Sequence, residues 1–229
     1  MDRTVLITGG SGGLGAPVTR AFLDAGWRVV VPIYDEAERA RITEHPSLVL
    51  VKADLFDEAS VKEVVDAAAE PSAPLRAVIN LVGGFAQGGR VHETPVDEFE
   101  KQFRLNLRPT YLVCAAALPH LVNAESGAIV CVSTRAAVRP FPGAAGYISS
   151  KAAVLAFVDA LATEYRDDDV RVNAVLPSVI DTPANRAGQP DADHDKWVRP
   201  AQIAEVLLFL CGDGSGIVSG AHVPVYGKA

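Results

Sequence analysis

A chain of 229 residues fits one ordinary domain with a sizeable core and leaves little room for a second. With 49% hydrophobic and 21% charged residues, its composition is that of a globular protein and excludes disorder over most of the length. A formal charge of -7 removes nucleic acid as the main partner, because phosphate binding needs a basic face.

No apolar run approaches the roughly 20 residues that a membrane span requires. The stretches 112–118 and 206–210 are apolar but short, and read as buried helix faces. The N-terminal residues Met1 to Thr4 lack the charged and apolar regions of a signal peptide. Cys114, Cys131 and Cys211 stand far apart in the sequence and in apolar surroundings. They read as reduced thiols packed as small hydrophobes, with no disulfide and no metal site. The expectation is a cytoplasmic protein with a small-molecule substrate and no membrane partner.

In chain order, strands are predicted over 5–8, 29–31, 48–51, 78–82, 128–132 and 170–176. Most are continuous apolar runs without alternation, as in parallel strands covered on both faces. Helical segments fall between and after them, over 15–25, 36–42, 57–69, 96–118, 147–166 and 200–211. A last strand over 222–226 reads as an edge strand, where Pro224 is tolerated. Strand-helix repetition of this kind predicts an α/β fold: a single-domain Rossmann-type, doubly wound parallel sheet with helices on both faces, over 1–229. The longest irregular stretch, 177–199, follows a strand's carboxyl end, where such sheets place their ligand crevice; it reads as a substrate lid or, less pointedly, as a solvated connection.

Between the first strand and first helix lies the turn Thr8, Gly9, Gly10, Ser11, Gly12, Gly13, Leu14, Gly15. Glycines there let backbone N–H groups approach a pyrophosphate at the positive end of the helix. The acidic residue expected at the end of the second strand, for ribose hydroxyls, is missing: spacing puts Ile33 there, with Tyr34, Asp35 and Glu36 just after. Asp54, after the third strand, reads either as an acceptor for the adenine amino group or as a turn or helix cap near Asp57.

Tyr147 and Lys151 are four apart in a helical segment and so share a face. A nearby ammonium favours phenolate, lowering an ordinary tyrosine value of about 10 and producing a general acid/base. Thr134, with Ser133 beside it, ends the strand over 128–132, where a hydroxyl can meet a substrate carbonyl. Asn106 sits in an apolar helical run and must find hydrogen-bond partners, through a water relay or in the core.

These pieces together resemble the short-chain dehydrogenase/reductase family over essentially the whole chain. The match runs through the glycine turn, Asp54, Asn80 to Gly83, Asn106, Thr134, Tyr147, Lys151, Asn173, Pro177, Ser178, Thr182 and Pro183. The resemblance implies an NAD(P)-dependent oxidoreductase reducing a carbonyl or imine, or the reverse. Tyr147 would be the proton donor, Lys151 would lower its pKa and bind ribose, Thr134 would orient the substrate oxygen, and Asn106 would support a proton relay. It also implies a cofactor lying against Gly9, Ser11, Gly12, Gly13, Leu14, Gly15, Tyr34, Asp54, Leu55, Val82, Gly83, Lys151, Pro177, Ile180 and Thr182, and a homodimer or homotetramer built through the helices at 96–118 and 147–166.

The departures are specific. Thr134 stands where the family has serine, so either it or Ser133 orients the substrate; Ser178 replaces a glycine; Leu81 and Val82 replace an asparagine and an alanine. The stretches 82–85, 175–186 and 190–193 and Trp197 are similar to the dihydropteridine reductase branch, which implies a flat, conjugated heterocycle as the alternative substrate. A nucleotide-binding sensor without turnover ranks lower, since it has little use for Tyr147 and Lys151 in register. Without an acid at Ile33 the reading tilts to NADP over NAD, although no arginine follows the second strand directly. Phe85, Phe141 and Trp197 line a pocket or belong to the core, Arg135 steers an anionic or polar substrate or caps a surface, and His194 reads as part of a solvated charged loop.

Overall fold

In the computed structural model, which describes residues 3–228, seven strands form one parallel sheet in the order β3-β2-β1-β4-β5-β6-β7. The strands are β1 (Thr4–Thr8), β2 (Arg28–Ile33), β3 (Leu48–Lys52), β4 (Leu75–Asn80), β5 (Gly127–Val132), β6 (Val170–Pro177) and β7 (His222–Val225). The helices are α1 (Gly15–Asp24), α2 (Glu58–Ala68), α3 (Val96–Asn106), α4 (Arg108–Asn123), α5 (Ala145–Glu164), α6 (Pro183–Gly188) and α7 (Pro200–Cys211).

The continuous apolar strands have the expected cause: both faces of the sheet are covered. Leu6 and Val30 pack under α2, α4 and α5, while Val5, Ile7, Val29 and Val31 pack under α1 and α7. The chain winds outward from β1 through β2 to β3 and then returns to pair β4 with the other side of β1. That reversal opens a crevice at the carboxyl ends of β1 and β4. β7 is an edge strand, as is β3 on the other side, and Pro224 aligns with Leu176 of β6.

Several boundaries differ from the sequence reading. The helix expected over 96–118 is two, broken at Leu107, because Pro109 has no N–H for the Leu105 carbonyl and its ring crowds that carbonyl. Proline suits the first turn of the new helix, which then carries Pro119 inside it and runs on to Asn123. The stretch expected as a helix over 36–42 is a six-residue 3-10 turn, Glu36–Arg41. β4 ends at Asn80, so Leu81 and Val82 lie beyond the strand.

The irregular stretch 177–199 contains α6, capped by the Thr182 side chain with Pro183 in its first turn. α5 is 20 residues long with mean hydropathy 1.3, enough by length and composition to cross a membrane. The sequence reading found no such run because Lys151, Asp159 and Glu164 interrupt it. In this fold α5 packs against α3 and β6.

Candidate active site

The glycine turn folds back on itself at the end of β1, with Gly12 N–H donating to the Gly9 carbonyl at 3.0 Å. Gly15 passes so close to Gly9 that a Cβ there would lie 1.9 Å from its carbonyl oxygen. Gly13 faces Thr182, whose Cγ2 stands 3.0 Å from where a Cβ would be. The turn and the segment after β6 therefore meet, although 169 positions separate Gly13 from Thr182 in the sequence. Val82 flanks Gly9 on the β4 side.

Ile33, the last residue of β2, is buried, and the acid arrives from five residues further on. Glu38 accepts from the backbone N–H of Tyr34 at 3.2 Å and of Asp35 at 3.3 Å, and its other oxygen accepts from the Ser11 hydroxyl. Asp35 caps the same 3-10 turn, accepting from Ala37 N–H at 2.9 Å. The sequence reading missed Glu38, although aspartate followed three residues later by glutamate is a capping-box signal. Tyr34 is exposed, whereas Leu55 is buried in the core. Asp54 accepts from Phe56 N–H at 2.9 Å while Asp57 caps α2, so the two acids have separate local tasks.

At the end of β5 the hydroxyl pair divides. Ser133 donates to the Lys151 carbonyl at 2.8 Å, tying β5 to α5. Thr134 accepts from Ala136 N–H at 3.3 Å, and its hydroxyl lies near enough to the Tyr147 phenol to favour phenolate slightly. Tyr147 lies in the first turn of α5, and Lys151, one turn on, is buried with its ammonium donating to the Val132 carbonyl at 3.0 Å.

Burial pushes the phenol of Tyr147 up, and the neighbouring Thr134 hydroxyl only partly opposes this. That differs from the lowering expected of an adjacent ammonium, because the Lys151 ammonium is turned to a main-chain carbonyl. Burial brings Lys151 down from 10.5 to about 8. All three thiols are free and buried, and Cys114 and Cys131, distant in sequence, are spatial neighbours bridged by the Asn80 amide at 3.4 and 3.7 Å.

Asn106 is fully buried at the C-terminal end of α3. Its carbonyl oxygen accepts from Gly84 N–H at 2.9 Å, and its NH2 donates to the Gly84 carbonyl at 3.2 Å and to Ser150 Oγ at 3.0 Å. Gly83 threads between Asn106 and Lys151: a Cβ there would lie 2.6 Å from Asn106 Oδ1 and 2.8 Å from Lys151 Nζ. Asn173 belongs to the scaffold, bonding Val218 and Ala221 at 2.8 and 2.9 Å.

These groups border a cavity of about 960 Å³ that runs from Leu14 and Leu81 past Thr134, Tyr147 and Lys151 to Pro177, Ile180 and Gln189. Phe85 stands edge-on to Tyr147 with ring centroids 5.0 Å apart, and Phe141 closes the same wall 6.4 Å from Phe85. Trp197 is buried instead, its ring 4.4 Å from that of His194. Arg135 and Arg139 also reach the cavity, and the second of these went unremarked in the sequence.

A doubly wound sheet with a glycine turn at its reversal point, and a half-buried tyrosine and a buried lysine beside that crevice, defines an oxidoreductase working with a dinucleotide. The chain belongs to the short chain dehydrogenase family, whose model matches residues 3–193. It is similar to the 2-(R)-hydroxypropyl-CoM dehydrogenase of Xanthobacter autotrophicus, with 32% identity over 245 residues covering 99% of this chain and 98% of that protein. Among solved structures it is similar to ElxO with NADP bound, at TM-score 0.92 and 26% identity over 99% of this chain and 98% of that one. It also matches the 3-ketoacyl-(acyl-carrier-protein) reductase of Brucella melitensis complexed with NADH, at TM-score 0.90 and 26% identity over 98% and 97%. The chain is an NAD(P)-dependent oxidoreductase of this family.

Proposed function

We propose that this enzyme reduces a carbonyl compound, or oxidises the matching alcohol, with Tyr147 as acid/base. The observation that carries this reading is the half-buried Tyr147 phenol beside Thr134, one turn from buried Lys151, at the wall of the crevice beside the glycine turn. A bound nicotinamide supplies or accepts the hydride. A phenol raised by burial stays protonated at neutral pH, which suits it to give its proton to a developing alkoxide. Thr134 holds the substrate oxygen, since the hydroxyl of Ser133 is engaged by the Lys151 carbonyl. Lys151, at about 8, is mostly charged at neutral pH and offers donors to ribose hydroxyls. Asn106 serves the proton relay as a positioning residue, holding Gly84 and Ser150.

The cofactor fits the cradle: Gly15 and Gly13 lack the Cβ atoms that would collide with Gly9 and Thr182. Leu14, Val82, Gly83, Pro177, Ile180 and Thr182 flank its path, and Ser11, Tyr34, Asp54 and Leu55 its adenosine end. The tilt to NADP rested on Ile33. The Glu38 carboxylate, beside Ser11 and at the end of β2, weighs the other way, because it repels a 2′-phosphate and accepts from ribose hydroxyls. We take NAD as the preferred partner. The segment 177–199 acts as the substrate lid. Homodimers or homotetramers form through α4 and α5, where Tyr111 is 54% exposed and stacks 5.8 Å from Phe157.

The test is oxidation of NADH and NADPH with a panel of aldehydes and ketones, with Tyr147→Phe as control. Turnover that survives Tyr147→Phe undamaged overturns the assignment. The aromatic wall of Phe85, Phe141 and Tyr147 favours one second reading, a flat conjugated heterocycle, and quinonoid dihydropterin belongs in the same panel. Cofactor binding without turnover, and with affinity unchanged in Lys151→Ala, would mark a sensor.

A further inference from the structure

The chain carries 28 acidic and 21 basic side chains, yet among the described residues the charged ones that line the cavity are Lys151, Arg135 and Arg139, with no carboxylate. Lys151 is buried and committed to the Val132 carbonyl. The two arginines stand differently. Arg135 directly follows Thr134, and Arg139 lies one turn on, its N–H donating to the Arg135 carbonyl at 2.9 Å.

Among the described residues neither guanidinium forms an ion pair or donates a side-chain hydrogen bond, whereas Arg20, Arg28, Arg39 and Arg186 all pair with carboxylates. Arg135 is steadied by the Tyr226 ring, 5.2 Å from its central carbon. A contact with a ring face fixes the plane of the guanidinium while leaving its N–H edge free for an anion. Both arginines lie in the segment between Thr134 and Tyr147 and line the same cavity as those two residues. Phe85 and Phe141 line the same cavity and are 61% and 39% exposed, an apolar surface that calls for a flat apolar body.

We propose that the substrate is a carbonyl compound with an aromatic or similarly flat body and a carboxylate or sulfonate, its anion held by Arg135 and Arg139 while its carbonyl meets Thr134 and Tyr147. This rests on the carbonyl-reducing reading above. In that step the hydride pair forms the new C–H bond, the carbonyl π pair moves onto oxygen, and the Tyr147 O–H bond breaks to protonate it. The carbonyl is thereby reduced to an alcohol and the reduced nicotinamide is oxidised. A bidentate guanidinium contact gives the anion a defined orientation, so the charge positions the substrate as well as attracting it. A neutral dihydropterin would leave both arginines without a counter-charge.

The experiment compares kcat/KM for 4-formylbenzoate and for its neutral methyl ester in the wild type and in Arg135→Gln, Arg139→Gln and the double variant, with NADH and with NADPH. The wild type is expected to favour 4-formylbenzoate by at least about tenfold, and the double variant to lower that selectivity ratio at least about tenfold, chiefly through KM. Equal or reversed preference in the wild type, or a ratio unmoved in the double variant, overturns the anion site. If neither aldehyde turns over, the carbonyl reading fails separately, and 4-methylbenzoate is titrated against the fluorescence of bound NADH. Saturable binding lost in the double variant keeps the anion site, and binding that is absent or unaffected by the variant overturns it.

Discussion

Replacing Lys151 by methionine should abolish turnover and yet make the fold more stable. The ammonium is buried, and its value falls from 10.5 to about 8, so holding it charged in the folded state opposes folding. At pH 7, a gap of that size at ~1.36 kcal/mol per pH unit amounts to about 3 kcal/mol. The variant also leaves the Val132 carbonyl without its partner at 3.0 Å, which costs about 1 kcal/mol. The net gain, about 2 kcal/mol, corresponds to a Tm raised by about 4–8 °C in a chain of this size.

The sign with pH follows from proton counting. Below about 8 both states carry the proton and the penalty is whole; between about 8 and 10.5 the unfolded chain binds more protons, so the wild type gains stability as pH rises. Urea and thermal unfolding of both proteins at pH 7 and pH 10 should therefore show an advantage for the variant that shrinks to under about 1 kcal/mol at the higher pH. A variant less stable than wild type at pH 7, or an advantage indifferent to pH, refutes the reasoning.

The same lysine should govern the pH profile of reduction: kcat/KM, which reports the free enzyme, stays level to about pH 8 and declines above it as Lys151 loses its charge, and a flat profile through pH 9.5 would remove the lysine from that role. Gly83→Ala drives a methyl group to 2.6 Å from Asn106 Oδ1 and 2.8 Å from Lys151 Nζ. A loss of about 1–3 kcal/mol in unfolding free energy, with cofactor affinity at least about tenfold weaker by fluorescence titration, is the expected result. Glu38→Gln removes the acid beside Ser11 and should raise the NADPH-to-NADH ratio of kcat/KM by about tenfold, whereas an unchanged ratio would exclude Glu38 from cofactor choice.

The sheet was readable because its physics repeats: the inner strands are buried on both faces, so most appear as apolar runs without alternation. The helix break at Leu107 was hidden for a related reason. Apolar residues continue across it, and the sole marker is Pro109, which is as much a helix starter as a helix breaker. α6 spans six residues, too few for periodicity, although Thr182 followed by Pro183 is a cap signal.

At the site, spacing alone brought Tyr147 and Lys151 onto one helix face. The partners each would choose depend on contacts made through the fold: Lys151 turns to Val132, and Tyr147 to Thr134. Glu38 escaped because the acid was sought at a fixed position on the strand, and that position, Ile33, is taken up by the core.

The interruption between α3 and α4 explains more of the site than any motif does. An asparagine in the middle of a continuous apolar helix would have had to compete with its own backbone for partners. Where α3 stops, Asn106 is free to use its amide outward, and it clasps Gly84 through both N–H and carbonyl while donating to Ser150 on α5. That clasp draws the segment after β4 against α3 and α5 until only a glycine fits at position 83, with the Lys151 ammonium on its other side. Ser133 then fixes the same turn of α5 to β5 through the Lys151 carbonyl. The lysine is thus held by Gly83, Ser133 and Val132 together, and this accounts for a buried charge whose hydrogen-bond partner is a main-chain carbonyl. The stability given up to bury it is repaid only if the ammonium meets something else in the cavity, which is the reason to read Lys151 as a ligand for ribose rather than as a strut.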